Sequence, residues 1–323
     1  MPKEAAVIRN RLTLAVAAFL SGTVLAGCSD PRPPATDTPA PAPATTAATP
    51  PASNPDVLRF RIGTLDAAAL KDGDIDVAND GKTFAVGQPA TDVAALLETA
   101  GQPTDVVHLS LQPLLVKSGA QVLLFDTGAG DVKWARGGRL PASLHAAGVE
   151  PSQVTDIFIS HRHRDHIGGL VTKEGTLAFP NAAIHLSVAE WEALKADKDE
   201  AALVAAVTPK VAAFQPGAEL VPGVVTAVAA EGHTAGHSAY EITSGDERLL
   251  YLGDTAHSHV ISVQRPEWTI AYDENAPQAQ TYRRALFQRA ADGKLRVYAV
   301  HFPFPGLGRF EVQGDGFVWT PEW

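Results

Sequence analysis

Apolar and polar residues alternate over 57–65, the period of a strand with one covered face, so the first strand is expected there. The stretches 107–116 and 121–125 read as two more strands, joined by a turn over 117–120. Between them and the first strand, 66–104 is mixed, with turn signals at Asp72-Gly73 and Asp80-Gly81. The β-branched, apolar run 154–160 has the look of a buried strand, as do the shorter runs 183–186, 249–252 and 295–300. Helical spacing falls on 140–147, which Gly148 stops, and on 188–195. The Ala-rich stretch 197–213 is expected to be helical with a break near Pro209, and 277–292 to be a helix with Pro at its start. No internal repeat is apparent.

Three of the strands run out into residues that bind metals. The run 154–160 ends at His161-Arg162-His163-Arg164-Asp165-His166, and the Gly168-Gly169 pair behind it signals a turn. The run 249–252 ends at Gly253-Asp254, and the run 295–300 ends at His301. A fourth piece, Glu231-Gly-His233-Thr-Ala-Gly-His237-Ser, frames a histidine with glycines. Neutral imidazole and carboxylate are the ligands that borderline divalent ions such as Zn²⁺ prefer. The ends of strands in a layered α/β fold are where such groups converge. Taken alone, 161–166 could be a polar loop that happens to be His-rich; recurrence of the same residue types in matching contexts argues for one shared site. Five histidines and two carboxylates suffice for two metals that share one bridging carboxylate.

His161-x-His163-x-Asp165-His166, followed in order by His233, Asp254 and His301, resembles the dinuclear metallo-β-lactamase-fold hydrolases. His301-Phe-Pro-Phe-Pro-Gly-Leu-Gly308 is similar to the methyl parathion hydrolase branch, which lies close to the N-acyl-homoserine lactonases. Phe125-Asp-Thr-Gly-Ala-Gly130 and Leu220-Val-Pro-Gly223 extend the likeness, which covers roughly 57–323. The resemblance implies an α/β fold, the four-layer αββα metallo-β-lactamase sandwich, with the metals at one edge. It implies that His161, His163 and His233 bind a first divalent ion, that Asp165, His166 and His301 bind a second, and that Asp254 bridges them. Zn²⁺ is the expected metal at both sites. The resemblance also implies that Asp126 orients a ligand histidine; a plain Asp-Thr-Gly turn is the alternative.

Two departures narrow the subfamily. Many true metallo-β-lactamases lack the bridging Asp and use a Cys ligand, whereas here Asp254 is present and the only Cys is Cys28. Glyoxalase II adds a helical domain after the last histidine, and too little chain follows His301 for one. Some lactonases of the superfamily have a Tyr three positions after the bridging Asp, where this chain has His257. His257 is read as a pocket residue taking part in the reaction beside Asp254; a core histidine is the plain alternative.

The N-terminus has basic Lys3, Arg9 and Arg11, an apolar stretch over 12–26, then Gly27-Cys28. That is a signal peptide over 1–27, and Leu25-Ala-Gly-Cys28 resembles a bacterial lipobox. The apolar run is short for a membrane span. Expected, then, is export to the periplasm with a lipid anchor on Cys28, in the outer membrane by the usual sorting pattern with Ser29 behind the Cys. Residues 28–56 are rich in Pro, Ala and Thr and make a disordered tether. One catalytic domain is expected over 57–323.

The formal charge of −10 belongs to the precursor. Removing the leader's net +2 leaves about −12, which speaks against nucleic acid as a partner. With Cys28 lipidated, no disulfide is available. The expected partners are a small-molecule substrate, the membrane and a second copy of the chain in a homodimer.

Other residues draw weaker readings. His237, His259, His108, His145 and His185 are left out of the metal set. Arg162 and Arg164 read as loop charges or ion-pair partners. Trp134, Trp191, Trp268, Phe302 and Phe304 are candidates to wall an apolar pocket, with core as the commoner fate of aromatics.

The expected activity is hydrolysis of an ester-like bond in a lactone, aryl ester or phosphotriester, by a hydroxide held between the two metals. β-Lactam hydrolysis is the alternative within the family, and a non-catalytic metal- or ligand-binding lipoprotein the alternative outside it.

Overall fold

The computed structural model describes residues 54–322. The expected leader, Cys28 and nearly all of the tether lie outside them. The first half of the described chain runs β1 (Val57–Ile62), β2 (Leu65–Leu70), β3 (Gly73–Ala78), α1 (Ala90–Thr99), β4 (Val106–Leu111), β5 (Leu114–Ser118), β6 (Gln121–Phe125), α2 (Leu140–Ala146), β7 (Asp156–Phe158), α3 (Arg164–Ile167), β8 (Ala183–Ser187), α4 (Val188–Ala196), α5 (Ala201–Val207) and β9 (Val211–Phe214). The second half runs β10 (Glu219–Val221), β11 (Val225–Ala229), β12 (Ser238–Ser244), β13 (Glu247–Tyr251), α6 (Ile261–Gln264), α7 (Ala276–Asp292), β14 (Arg296–Tyr298), β15 (Leu307–Gln313) and β16 (Gly316–Pro321). None of the described helices is long and apolar enough to cross a membrane.

The strands form two seven-stranded sheets, ordered β1-β2-β5-β6-β7-β8-β9 and β10-β11-β12-β13-β14-β15-β16, and a separate β3-β4 hairpin. The period of two explains how the layers stack. Ala67, Leu114, Val116, Leu123 and Phe125 point into a core shared with Tyr240, Leu249, Tyr251 and Tyr298 of the second sheet. Their neighbours Ala68, Leu115 and Leu124 point the other way, to Leu140, Leu144 and Leu194 of α2 and α4. In the second sheet Leu250 and Val297 turn outward to Leu286, Phe287 and Ala290 of α7. Helices, sheet, sheet and helix thus form an αββα sandwich, the metallo-β-lactamase fold. Where the sheets face each other, Phe125 stacks on Phe158 at 4.9 Å between ring centroids and lies 5.5 Å from Tyr251. Such ring pairs add about 0.5–1.5 kcal/mol beyond their area burial.

Several expected elements differ in the structure. The strand over 57–65 stops at Ile62, because Gly63 adopts φ +54° and folds the chain back into β2. The stretch 66–104, read as mixed with turn signals, holds nearly all of β2 together with β3 and α1. The run 107–116 splits into β4 and β5, which belong to different sheets. Its break is at Gln112-Pro113: the buried Gln112 amide donates to Ala299 O and Phe302 O, and so pins the crossing. Helix does not continue to 213. It ends at α5 and a 3-10 turn over Thr208–Lys210, and 211–214 adds to β8 as a parallel edge strand.

Strand direction places the site. β6, β7 and β8 are parallel to one another, as are β13 and β14. The loops that follow β7, β13 and β14, and the β11–β12 connection, therefore meet along one edge of the sandwich.

Candidate metal centre

The first ligand segment leaves β7 through Ser160 and His161, both fully buried. His163 is still extended, and the chain then coils into the single turn of α3 with Asp165 and His166. The glycines behind it are there for close approach rather than for a turn. A Cβ on Gly168 would lie 2.1 Å from Ala129 O, and one on Gly169 would lie 2.1 Å from Thr127 O. The backbone after β6 packs directly against α3 at this point. Asp126 opens that backbone at φ +57°, a region Asp tolerates better than most residues.

Two groups of ligand atoms converge, one from His161, His163, His233 and Asp254, the other from Asp165, His166, Asp254 and His301. In the first, His233 Nε2 lies 3.2 Å from His161 Nε2 and 3.0 Å from His163 Nδ1. In the second, Asp254 Oδ1 lies 3.1 Å from His166 Nε2 and 3.0 Å from His301 Nε2, and Asp165 Oδ2 lies 3.5 Å from His301 Nε2. Asp254 divides its oxygens: Oδ2 faces the first group, 3.3 Å from His233 Nε2, and Oδ1 faces the second.

The donor set fits divalent ions. Ligand atoms about 2.1 Å from a tetrahedral Zn²⁺ sit about 3.4 Å from one another, close to the spacings here. His166 Nε2, His301 Nε2 and Asp254 Oδ1 are buried and have no hydrogen-bond partner although they crowd together. Buried polar atoms left in that state are costly unless a cation takes their lone pairs.

Charge gives the same answer. Burial, with His166 next, pushes His161 well below its usual range; burial and His233 push His163 down to about 3. Burial also opposes protonation of His166, His233 and His301, but Asp254 and its neighbours outweigh it. They drive His166 well above its usual range, His233 to about 9, and His301 upward. The carboxylates thus demand positive charge, which two divalent ions would meet.

The outward nitrogens are held as metal-ligating histidines require. Asp126 is fully buried and accepts four bonds, each of 2.7 Å: from Ser160 N, Ser160 Oγ, Tyr251 OH and His166 Nδ1. Asp126 therefore orients His166 instead of merely closing a turn. His301 Nδ1 donates to Ser110 O at 2.9 Å, and His233 Nδ1 to Asp273 Oδ1 at 3.1 Å. His237, outside the metal set, donates from Nδ1 to Ala230 O and accepts from the Asp254 backbone N at 2.8 Å through Nε2. Burial, then His233, pushes it down to about 4, so it stays a neutral acceptor. Gly253, at φ +52°, makes room: a Cβ there would lie 2.6 Å from His237 Nε2.

A cavity of about 580 Å³ opens over Asp165, His163, His233, Asp254 and His301. Ile75, Val77, Ala78 and Leu109 of the β3-β4 hairpin form an apolar wall, and Trp134 and Tyr272 stand at its rim, 54% and 41% exposed. His257 lines the cavity with Nε2 3.1 Å from Asp254 Oδ2; burial holds it below its usual range. A larger hollow of about 870 Å³ adjoins it, sharing Trp134 and Arg164, and none of the converging histidines reaches it.

The remaining candidates go elsewhere. Phe302 is in a core cluster, Trp268, Phe304 and Trp191 pack against others, and of these five only Trp134 reaches the cavity. His259 lies beside Phe302, away from the ligands. Arg162 pairs with Glu190 and Glu274, and Arg164 with Glu200. His108, His145 and His185 pair with Asp76, Glu150 and Asp156. Sequence reasoning missed Asp273, Glu190, Tyr272 and the hairpin wall. Asp273 carries no local motif, whereas the alternation of 73–78 could have revealed β3.

Comparison with known proteins follows the same lines. The metallo-beta-lactamase superfamily model matches residues 113–301, beginning just after the wall hairpin. Among solved structures, the dizinc quorum-quenching lactonase AidC in complex with a hexanoyl-homoserine product is 32% identical, with a TM-score of 0.76, over 83% of this chain and 97% of that one. The hydrolase AbOPH of the beta lactamase superfamily is 27% identical, with a TM-score of 0.75, over 83% and 98%. A probable metal-dependent hydrolase from Staphylococcus aureus shares the fold at 19% identity and a TM-score of 0.69, over 82% and 100%. Among curated proteins none matches the chain in sequence.

Proposed function

The chain belongs to the metallo-beta-lactamase superfamily, and from that premise we propose that it is a dinuclear metal-dependent hydrolase of ester-like bonds, lactones foremost. The observation that carries the reading is Asp254, whose two oxygens face two separate sets of histidines under one cavity. His161, His163 and His233 would hold one ion, Asp165, His166 and His301 the other, and Asp254 both. Two such ions, most fittingly zinc, supply an acidified water and a positive pole for the oxygen of the bond being cleaved.

The protein's own groups do the rest. Asp126, Ser110 O and Asp273 fix the tautomers of His166, His301 and His233, so that each Nε2 lone pair faces inward. His257, a neutral imidazole, donates from Nε2 to Asp254 Oδ2 and steadies the bridging carboxylate at the cavity floor. Ile75, Val77 and Leu109 give an apolar arm of the substrate somewhere to lie, which favours a lactone bearing an alkyl or acyl chain over a bare ring. The similarity to a lactonase with a homoserine product supports the same substrate class. Export and a lipid anchor at Cys28 belong to this reading, and would hold the enzyme in the periplasm against a membrane.

The test is a substrate panel on the zinc-loaded full chain: N-acyl-homoserine lactones of several chain lengths, an aryl ester, a phosphotriester and a chromogenic cephalosporin. The highest kcat/KM is expected for a long-chain lactone, with activity lost on chelation and restored by zinc. Preference for the cephalosporin, or no turnover of any ester-like substrate, overturns the proposal.

A further inference from the structure

α7 buries a stripe of Ala279, Arg283, Leu286, Phe287 and Ala290, so an arginine occupies a position where helical spacing calls for an apolar residue. Arg283 is only 1% exposed. A guanidinium in a core is expensive unless its donors are used, and here they are. Nε donates to Thr255 O at 2.7 Å, Nη1 to Pro266 O at 3.1 Å and Nη2 to Asp273 Oδ2 at 2.8 Å. The Asp273 carboxylate is itself fully buried, and its other oxygen accepts from His233 Nδ1 at 3.1 Å. Thr255 directly follows Asp254.

From this geometry we infer that Arg283 is a positioning residue of the metal centre: one guanidinium fixes His233 through Asp273 and the Asp254 loop through Thr255. The inference rests on the dinuclear reading above. The Asp273 carboxylate can keep one oxygen turned to His233 only while Arg283 holds the other. A hydrocarbon would fill the volume as well, but would leave the buried Oδ2 of Asp273 without its donor. Lys has the charge without the fork needed to reach three acceptors at once. An arginine that only anchored α7 would need the carbonyls of Thr255 and Pro266 but not Asp273.

The test follows zinc release from the full chain into a graded chelator series, for wild type, Asp273→Asn, Arg283→Met and the double variant, with thermal melting of each metal-free protein alongside. Asp273→Asn preserves shape and guards against simple misfolding of Arg283→Met. Expected is that one zinc equivalent weakens about 10- to 100-fold in Asp273→Asn, that Arg283→Met weakens that same equivalent at least as much, and that the double variant is no worse than Arg283→Met, as for two parts of one device. If Arg283→Met lowers the metal-free melting temperature yet keeps both equivalents at wild-type strength, Arg283 is only a structural anchor and the inference falls. Additive losses in the double variant overturn it as well. A wild-type protein that fails to hold two zinc equivalents overturns the dinuclear reading and this inference together.

Discussion

Asp126→Asn isolates the control of a single tautomer. Asp126 Oδ1 accepts from the Ser160 backbone N, a donor that cannot turn round, so the asparagine carbonyl must take that position. Its NH₂ then falls where Oδ2 receives Ser160 Oγ, Tyr251 OH and His166 Nδ1. The two hydroxyls can rotate and accept. His166 can accept only by giving up the proton on Nδ1, which moves it to Nε2, 3.1 Å from Asp254 Oδ1. That nitrogen then has no lone pair to give a metal. Losing such an outer partner costs about 10- to 100-fold in metal affinity, or about 1.4–2.7 kcal/mol. Loss of the charge-assisted bond costs the metal-free fold about 1.5–3 kcal/mol. Chelator titration of the zinc-loaded full chain, beside denaturant unfolding of the metal-free form, measures both. One weakened equivalent beside one of wild-type strength is expected. If both equivalents stay at wild-type strength, Asp126 does not set the His166 tautomer and the reasoning fails.

Three further outcomes are expected. Asp254→Ala should lose both zinc equivalents and activity, whereas His301→Ala should weaken mainly one; elemental analysis beside kcat/KM decides, and two bound metals in Asp254→Ala would refute the bridging role. Cys28→Ser should release the protein from the membrane fraction with activity intact, and unchanged membrane association would refute the lipid anchor. The His185 hydrogen bond holds Asp156 below the usual carboxylate range, so its stabilisation is full above about pH 3.8 and is lost as pH falls through the lower folded value. The stability advantage of wild type over Asp156→Asn should therefore shrink on acidification below that point, and an advantage constant with pH would contradict it.

The parts of the site legible in the sequence are those written locally. His161, His163, Asp165 and His166 lie within one turn and a short lead-in, and Asp254 and His301 each end an apolar run, so their places at strand ends pointed to one shared site, and the family resemblance divided them between two metals. Asp273 and Arg283 were not legible, because an Asp in a loop and an Arg on a helix look like ordinary surface residues until the fold buries them against each other. The hairpin wall escaped for another reason. The run 107–116 alternates as far as Gln112 and is apolar beyond it, and nothing local says that Gln112 spends its amide on Ala299 and Phe302, sending β4 and β5 into different sheets. Phe302 and Phe304 are near His301 in sequence and still pack away from the cavity. Trp134, remote in sequence, reaches it because the backbone after Asp126 is drawn against α3.

The β3-β4 hairpin carries the apolar wall of the cavity and none of the seven metal-binding candidates. Its hydrogen bonds to them run through backbone atoms alone, Ser110 O accepting from His301 Nδ1 and Ser110 N donating to His301 O, and any side chain but proline at that position would keep both. Selection can therefore reshape Ile75, Val77 and Leu109 for a new guest without touching the machinery that does the chemistry. Each exchange there risks a little packing and no ligand. An enzyme divided in this way can diversify its diet by single substitutions while its reactive centre stays fixed.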